Sequence, residues 1–138
     1  MSEANKQLAR RWFEEVWNQH SEAAIDELFS ADGKCYGFPD AESAISREEF
    51  KTSHRVFCGA FPDLHVTIED VIAENDHVAI RWKTSMTPTG EHLGFAATGK
   101  KCALTGVSII QIAGGQIIDG WNEVNIPGLI QKLKNVPA

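Results

Sequence analysis

Basic charge is scarce in this sequence and nowhere gathered. Thirteen lysines and arginines stand against nineteen aspartates and glutamates, a formal net charge of −6, and only Arg10-Arg11 and Lys100-Lys101 are adjacent. Nucleic-acid binding needs a clustered basic surface to displace condensed counterions, so no nucleic-acid partner is expected. Cysteine is also sparse. Cys35, Cys58 and Cys102 are odd in number and form no CxxC, which fits reduced, buried thiols better than a disulfide framework. No apolar run approaches the roughly 20 residues of a membrane span. The start, Met-Ser-Glu-Ala-Asn-Lys, has neither the basic nor the apolar region of a secretory leader. The expectation is a cytoplasmic protein without a membrane partner. The histidines at 20, 54, 65, 77 and 92 make no HxH or HExxH, and there is no GxSxG elbow, Walker loop or GxGxxG. Metal, cofactor and common nucleophile chemistry therefore find no support.

What is present is enough chain for one domain. A length of 138 residues buries a sizeable core without cross-links, and nothing divides it, so residues 1–138 are read as a single unit. Leu8, Trp12, Val16 and their neighbours Phe13 and Trp17 recur at helical spacing across 3–19. Ser21 reads as the cap of a second, short helix with Ala24, Ile25, Leu28 and Phe29 inside. A short strand follows around 35–38. Ser46 and Glu49 form a capping box opening a helix to about Ala60. Its apolar stripe of Phe50, Phe57 and Phe61 contains His54, which either lines a cavity or is a core imidazole bonded to backbone.

Strand patterns then take over, at 64–74 and 78–84 and in two apolar runs on either side of Gly114-Gly115. Two glycines between β-rich runs imply a tight hairpin with positive φ at both. Pairing across it in simple register puts Gly106, Ser108, Ile110, Asp119, Trp121 and Glu123 on one face, with Val107, Ile109, Ile118 and Asn122 on the other. Small residues beside a tryptophan and two acids suggest a floor with open space above it. The alternative is that Gly106 marks a bulge and the acids face solvent. Pro127 and the apolar residues after it read as a short closing helix. Helices grouped ahead of an antiparallel meander give an α+β domain whose sheet curls around them and leaves a conical pocket.

Three stretches resemble the SnoaL-like polyketide cyclase or ester cyclase family. They are Phe61-Pro62-Asp63-Leu64-His65-Val66; Thr89-Gly90-Glu91-His92-Leu93-Gly94 with Ala97-Thr98-Gly99-Lys100; and Gly115 to Trp121 followed by Gly128-Leu129-Ile130. The resemblance covers nearly the whole chain. It implies an NTF2-like cone, a curved and mostly antiparallel sheet wrapped around three N-terminal helices, with a short C-terminal helix. It also implies a homodimer, and ring closure on a hydrophobic polyketide ester by an intramolecular aldol step without metal or cofactor.

Such chemistry removes a proton beside a carbonyl and returns one to an alkoxide. Characterised cyclases use a His and Asp pair from the cavity wall, whereas no histidine follows His92 here, and Gln111, Asn122 and Asn125 are amides. Glu123 is the expected acid/base group, with His54 as its partner. Trp12, Tyr36, Phe57, Trp82, Ser108, Ile110, Trp121 and Asn125 are the expected substrate wall, although aromatics at these spacings also serve as plain core. The rival classes are a non-catalytic ligand-binding dimer and another lyase, isomerase or hydrolase on the same fold. An epoxide hydrolase would need an Asp-Arg-Asp set, for which Arg81 is the only strand arginine.

Overall fold

A computed structural model describes residues 2–37, 43–87 and 101–124. The first helix, α1 (Ser2–Arg11), passes into a π-helical segment, Trp12–Asn18, where one continuous α-helix was expected. The wider turn shows in Gln19 N–H donating to Glu14 O at 3.0 Å and Ser21 N–H to Glu15 O at 3.0 Å. It lets Trp12, Phe13 and Val16 all be buried. It also turns Asn18 onto the sheet edge, where its amide accepts from Val66 N–H at 2.6 Å and donates to Val66 O at 3.1 Å. Both exposed edge groups of that residue are thereby satisfied.

Ser21 caps α2 (Glu22–Leu28) by accepting from Ala24 N–H. The chain then enters β1 (Phe29–Tyr36) directly, so Phe29 opens a strand rather than ending a helix. The capping box expected at Ser46 and Glu49 is present and opens α3 (Arg47–Ala60). Four further strands follow: β2 (His65–Glu74), β3 (His77–Met86), β4 (Cys102–Ala113) and β5 (Gln116–Val124). Their order in the sheet is β1-β5-β4-β3-β2, with β1 parallel to β5 and the other pairs antiparallel. The closing helix and Asn125 lie outside the described residues.

The helices pack against one face of this sheet, called inner here. Val78, Ile80, Trp82, Leu104, Ile110, Ile112 and Ile117 meet Trp12, Phe13, Ile25, Phe29 and Phe50 there in one buried cluster. Trp12 lies 5.7 Å from Phe29 and 5.4 Å from Phe50, ring to ring, and Phe13 lies 6.3 Å from Trp82. Each such fully buried side chain contributes about 1.5–3 kcal/mol through lost apolar surface.

The hairpin register differs from simple pairing. Gly114 and Gly115 do have positive φ, +60° and +77°, and Ile112 does oppose Ile117. A β-bulge between Gln111 and Ile112 then slips the strands by one, so Ile110 opposes Gly120, Ser108 opposes Asn122 and Gly106 opposes Val124. Because side chains alternate, one residue of slip sends β5 to opposite faces. Asn122 joins Ser108 inside. Asp119, Trp121 and Glu123 turn to the outer face with Val107 and Ile109. A second bulge, between Ile68 and Asp70 in β2, likewise brings Val71 and Ala73 onto the core.

Candidate functional site

Inside the sheet, apolar side chains and the buried Thr84 surround one hydrogen-bonded chain of polar side chains. Trp82 Nε1–H donates to Ser108 Oγ at 3.1 Å, and Ser108 donates to Asn122 Oδ1 at 2.7 Å. Asn122 Nδ2 donates to Tyr36 O at 2.9 Å and to Cys35 Sγ at 3.3 Å. Burial pushes the Cys35 thiol up to about 12, against the opposing effect of the Asn122 bond, so it stays protonated at neutral pH. Ser108 is 3% exposed and Trp82 8%, while Asn122 is half-buried. Asn122 is thus the less covered end of the polar chain.

Gly106 makes this arrangement possible, but not by leaving space. A Cβ there would lie 2.4 Å from Trp82 Cζ2 and 2.9 Å from Glu123 O. The indole of Trp82 lies flat where a side chain would be, and this points its N–H at Ser108. The expectation of an open floor above Gly106 is corrected accordingly.

His54 is buried at 1% exposure. Its Nε2 lies 2.6 Å from Val16 O, and since a carbonyl only accepts, Nε2 carries the proton. Cys58 Sγ is 3.5 Å from the same nitrogen, and the Trp17 and His54 ring centres are 5.0 Å apart. Burial holds the imidazole below its usual range, the Val16 bond opposing. Val16 O belongs to the last turn of the π-helical segment, where carbonyls lack helical partners, so His54 ties α3 to that segment. This is the core reading of His54.

Glu123 is on the outer face and exposed. With Glu69, Arg81, Thr105 and Val107 it walls a cleft of about 530 Å³. Trp82, Gly106 and Val124 also line the cleft; they face inward, so their backbone forms its floor. Arg81 is held by Asp70 at 2.6 Å and approaches Glu69 at 3.8 Å. The Arg81 set expected of a hydrolase is thus outside the sheet.

Glu123 and His54 lie on opposite sides of the sheet and are not brought together. Tyr36 and Trp121 are also outside, stacked at 5.5 Å, with His77 stacked on Trp121 at 6.2 Å. Of the expected wall, Trp12, Trp82, Ser108 and Ile110 are inner and buried, and Phe57 packs half-buried on the core. Asn122 and Cys35 were not expected in the site. The signal for Asn122 is its amide, which cannot shuttle protons as the expected chemistry requires, and simple register places it on the other face. Among the described residues no group of three or more His, Cys, Asp or Glu is placed to hold a metal, and no helix is long and apolar enough to cross a membrane.

Helices on one face of a mixed five-stranded sheet, with a polar constellation on that face, define an NTF2-like protein. The SnoaL-like polyketide cyclase profile matches residues 7–133, and the chain belongs to that family. Solved structures agree on the fold. A protein described as a SnoaL-like polyketide cyclase from Jannaschia sp. CCS1 superposes with a TM-score of 0.89 at 20% identity, over 99% of this chain and 96% of that one. AclR of Streptomyces galilaeus, described as a hydroxylase, gives 0.87 at 24% identity over 100% and 85%. IdmH of Streptomyces antibioticus, described as a polyketide cyclase, gives 0.83 at 22% over 94% and 98%. No curated protein matches the sequence.

Proposed function

We propose that this chain is a cyclase-type enzyme. It takes a small, hydrophobic, polyketide-like carbonyl compound against the inner face and closes a ring by holding the two reacting carbons together. The observation that supports this most is the uncharged hydrogen-bonded chain of Trp82, Ser108 and Asn122 in a wall that is apolar but for Thr84. Neutral acceptors fixed in a buried wall can hold an enol through its hydroxyl and set the approach of its carbon, and orientation alone lowers a barrier substantially. In the step, the enol carbon bonds to the carbonyl carbon, and the new hydroxyl gains the proton that the enol oxygen loses. The product is an isomer of the substrate.

A second reading keeps Glu123 as the acid/base group. It is favoured by the cleft that Glu123 lines and by the absence of any ion pair to it among the described residues. Incubation with a panel of linear β-keto esters, scored for ring-closed isomers of unchanged mass, separates the two. Loss of turnover in Asn122→Leu with retention in Glu123→Gln supports the inner site, and the reverse pattern supports the cleft. No turnover by the native chain, with ligand still bound, leaves the non-catalytic binding class.

The proposal includes a homodimer. Val107, Ile109 and Trp121 are 42%, 41% and 38% exposed together on the outer face, an apolar patch suited to a second copy. Sedimentation should give a dimer at micromolar concentration, and Trp121→Asp should shift it toward monomer.

A further inference from the structure

The direction of every hydrogen bond in the inner chain is fixed from its two ends. At one end the Trp82 indole N–H can only donate, so Ser108 Oγ accepts from it. At the other end Tyr36 O can only accept, so the Asn122 amide must present Nδ2 there and Oδ1 toward Ser108. Oδ1 cannot donate, so the one hydroxyl proton of Ser108 goes to it. The second Nδ2 proton is taken by Cys35 Sγ. Apart from the weak S–H of Cys35, no donor in the chain remains free. What remains are lone pairs: one on Ser108 Oγ and one on Asn122 Oδ1, since a hydroxyl and an amide oxygen each accept two bonds.

From this we infer that the inner site takes its ligand through a hydroxyl that the ligand donates, an enol or a phenol on a hydrophobic ring or chain, received at Asn122 Oδ1 or Ser108 Oγ. The inference rests on the seat named under Proposed function and adds the polarity of its recognition. A keto or ether oxygen meeting the same lone pairs finds no proton and loses its own hydration, an unsatisfied contact in a buried site. A β-dicarbonyl compound enters such a site as its enol, so the protein selects the tautomer that carries the nucleophilic carbon.

The test uses two probes of one shape, 2-naphthol and 2-methoxynaphthalene, titrated into the native chain and followed by the indole ¹H–¹⁵N resonances. Trp82→Phe identifies the Trp82 signal among the four tryptophans. The expected result is that naphthol shifts the Trp82 signal and binds about fivefold or more tighter than the ether, the worth of one net hydrogen bond. Asn122→Leu should abolish that preference. Ser108→Ala should narrow it, because Trp82 N–H is then free to meet the ether oxygen. If either variant fails to fold, the native ratio alone decides. An ether that binds at the Trp82 signal as well as naphthol overturns the donor rule and leaves the seat standing. Failure of both probes to move the Trp82 signal, or a shift at Trp121 instead, overturns the rule and the seat together.

Discussion

The two faces of β3, β4 and β5 are built from alternating residues of the same strands, yet they follow opposite rules. Inside, every side-chain donor of Trp82, Ser108 and Asn122 is spent on a defined neighbour. Outside, Arg81, Glu69, Asp70 and Glu123 are exposed, and Arg81 pairs with Asp70 and approaches Glu69 while Glu123 makes no ion pair among the described residues. A buried hydrogen bond is costly to leave unmade, whereas an exposed charge falls back on water. Position on the inner chain is therefore fixed by energy, and position on the outer cleft is not. Substitutions one residue apart in sequence should differ widely in effect.

The sharpest contrast comes from Gly106. Gly106→Val must displace the Trp82 indole, which cannot move without leaving Ser108 and the core, so a loss of about 3 kcal/mol or more is expected by thermal or urea unfolding. The adjacent outer residue, Val107→Thr, should cost far less. Ser108→Ala comes next. It leaves the buried Trp82 N–H without an acceptor, and about 1–3 kcal/mol should be lost. Equal losses at Gly106 and Val107 would erase the distinction between the faces.

His54 extends the inner rule to the helices. Burial lowers its folded-state pKa below that of the unfolded chain, about 6.5, so the native state holds the neutral ring. Stability is then complete above about pH 6.5. It is lost as pH falls from there through the lower folded-state value, where the unfolded chain binds a proton that the folded one refuses. His54→Gln, which can still donate to Val16 O, should flatten that part of the curve.

Periodicity and capping made much of the fold legible. Ser46 and Glu49, the Gly114-Gly115 turn and the apolar stripe of α3 appear where local chemistry put them, and the N-terminal stripe is buried as expected although Trp12–Asn18 is π-helical. The family resemblance and the profile match over residues 7–133 agree. The site was less legible because it turns on register. Nothing local marks the bulge at Gln111 and Ile112, yet that one residue exchanged Asn122 for Trp121 and Glu123 on the inner face. Gly106 is ambiguous in the sequence for a related reason. A glycine opposite a tryptophan reads equally as open space or as space the indole fills, and only the long-range pairing of Trp82 with Gly106 decides. The parallel pairing of β1 with β5, which brings Cys35 and Tyr36 O to Asn122, joins strands about ninety residues apart and leaves no local trace.

The smallest expected effect bears most directly on the division between faces. Glu123→Gln removes one charge from an exposed side chain that makes no ion pair among the described residues, and its neighbour Arg81 already has Asp70 at 2.6 Å. Unfolding free energy should change by no more than about 0.5 kcal/mol, and the binding preference for naphthol over its methyl ether should be untouched. The carboxylate and the Asn122 amide are adjacent in sequence but lie on opposite sides of the sheet, so no hydrogen bond passes from one to the other. A Glu123→Gln protein that lost the naphthol preference would show that the two faces communicate through the backbone of β5. The outer cleft would then belong to the same functional unit as the inner chain.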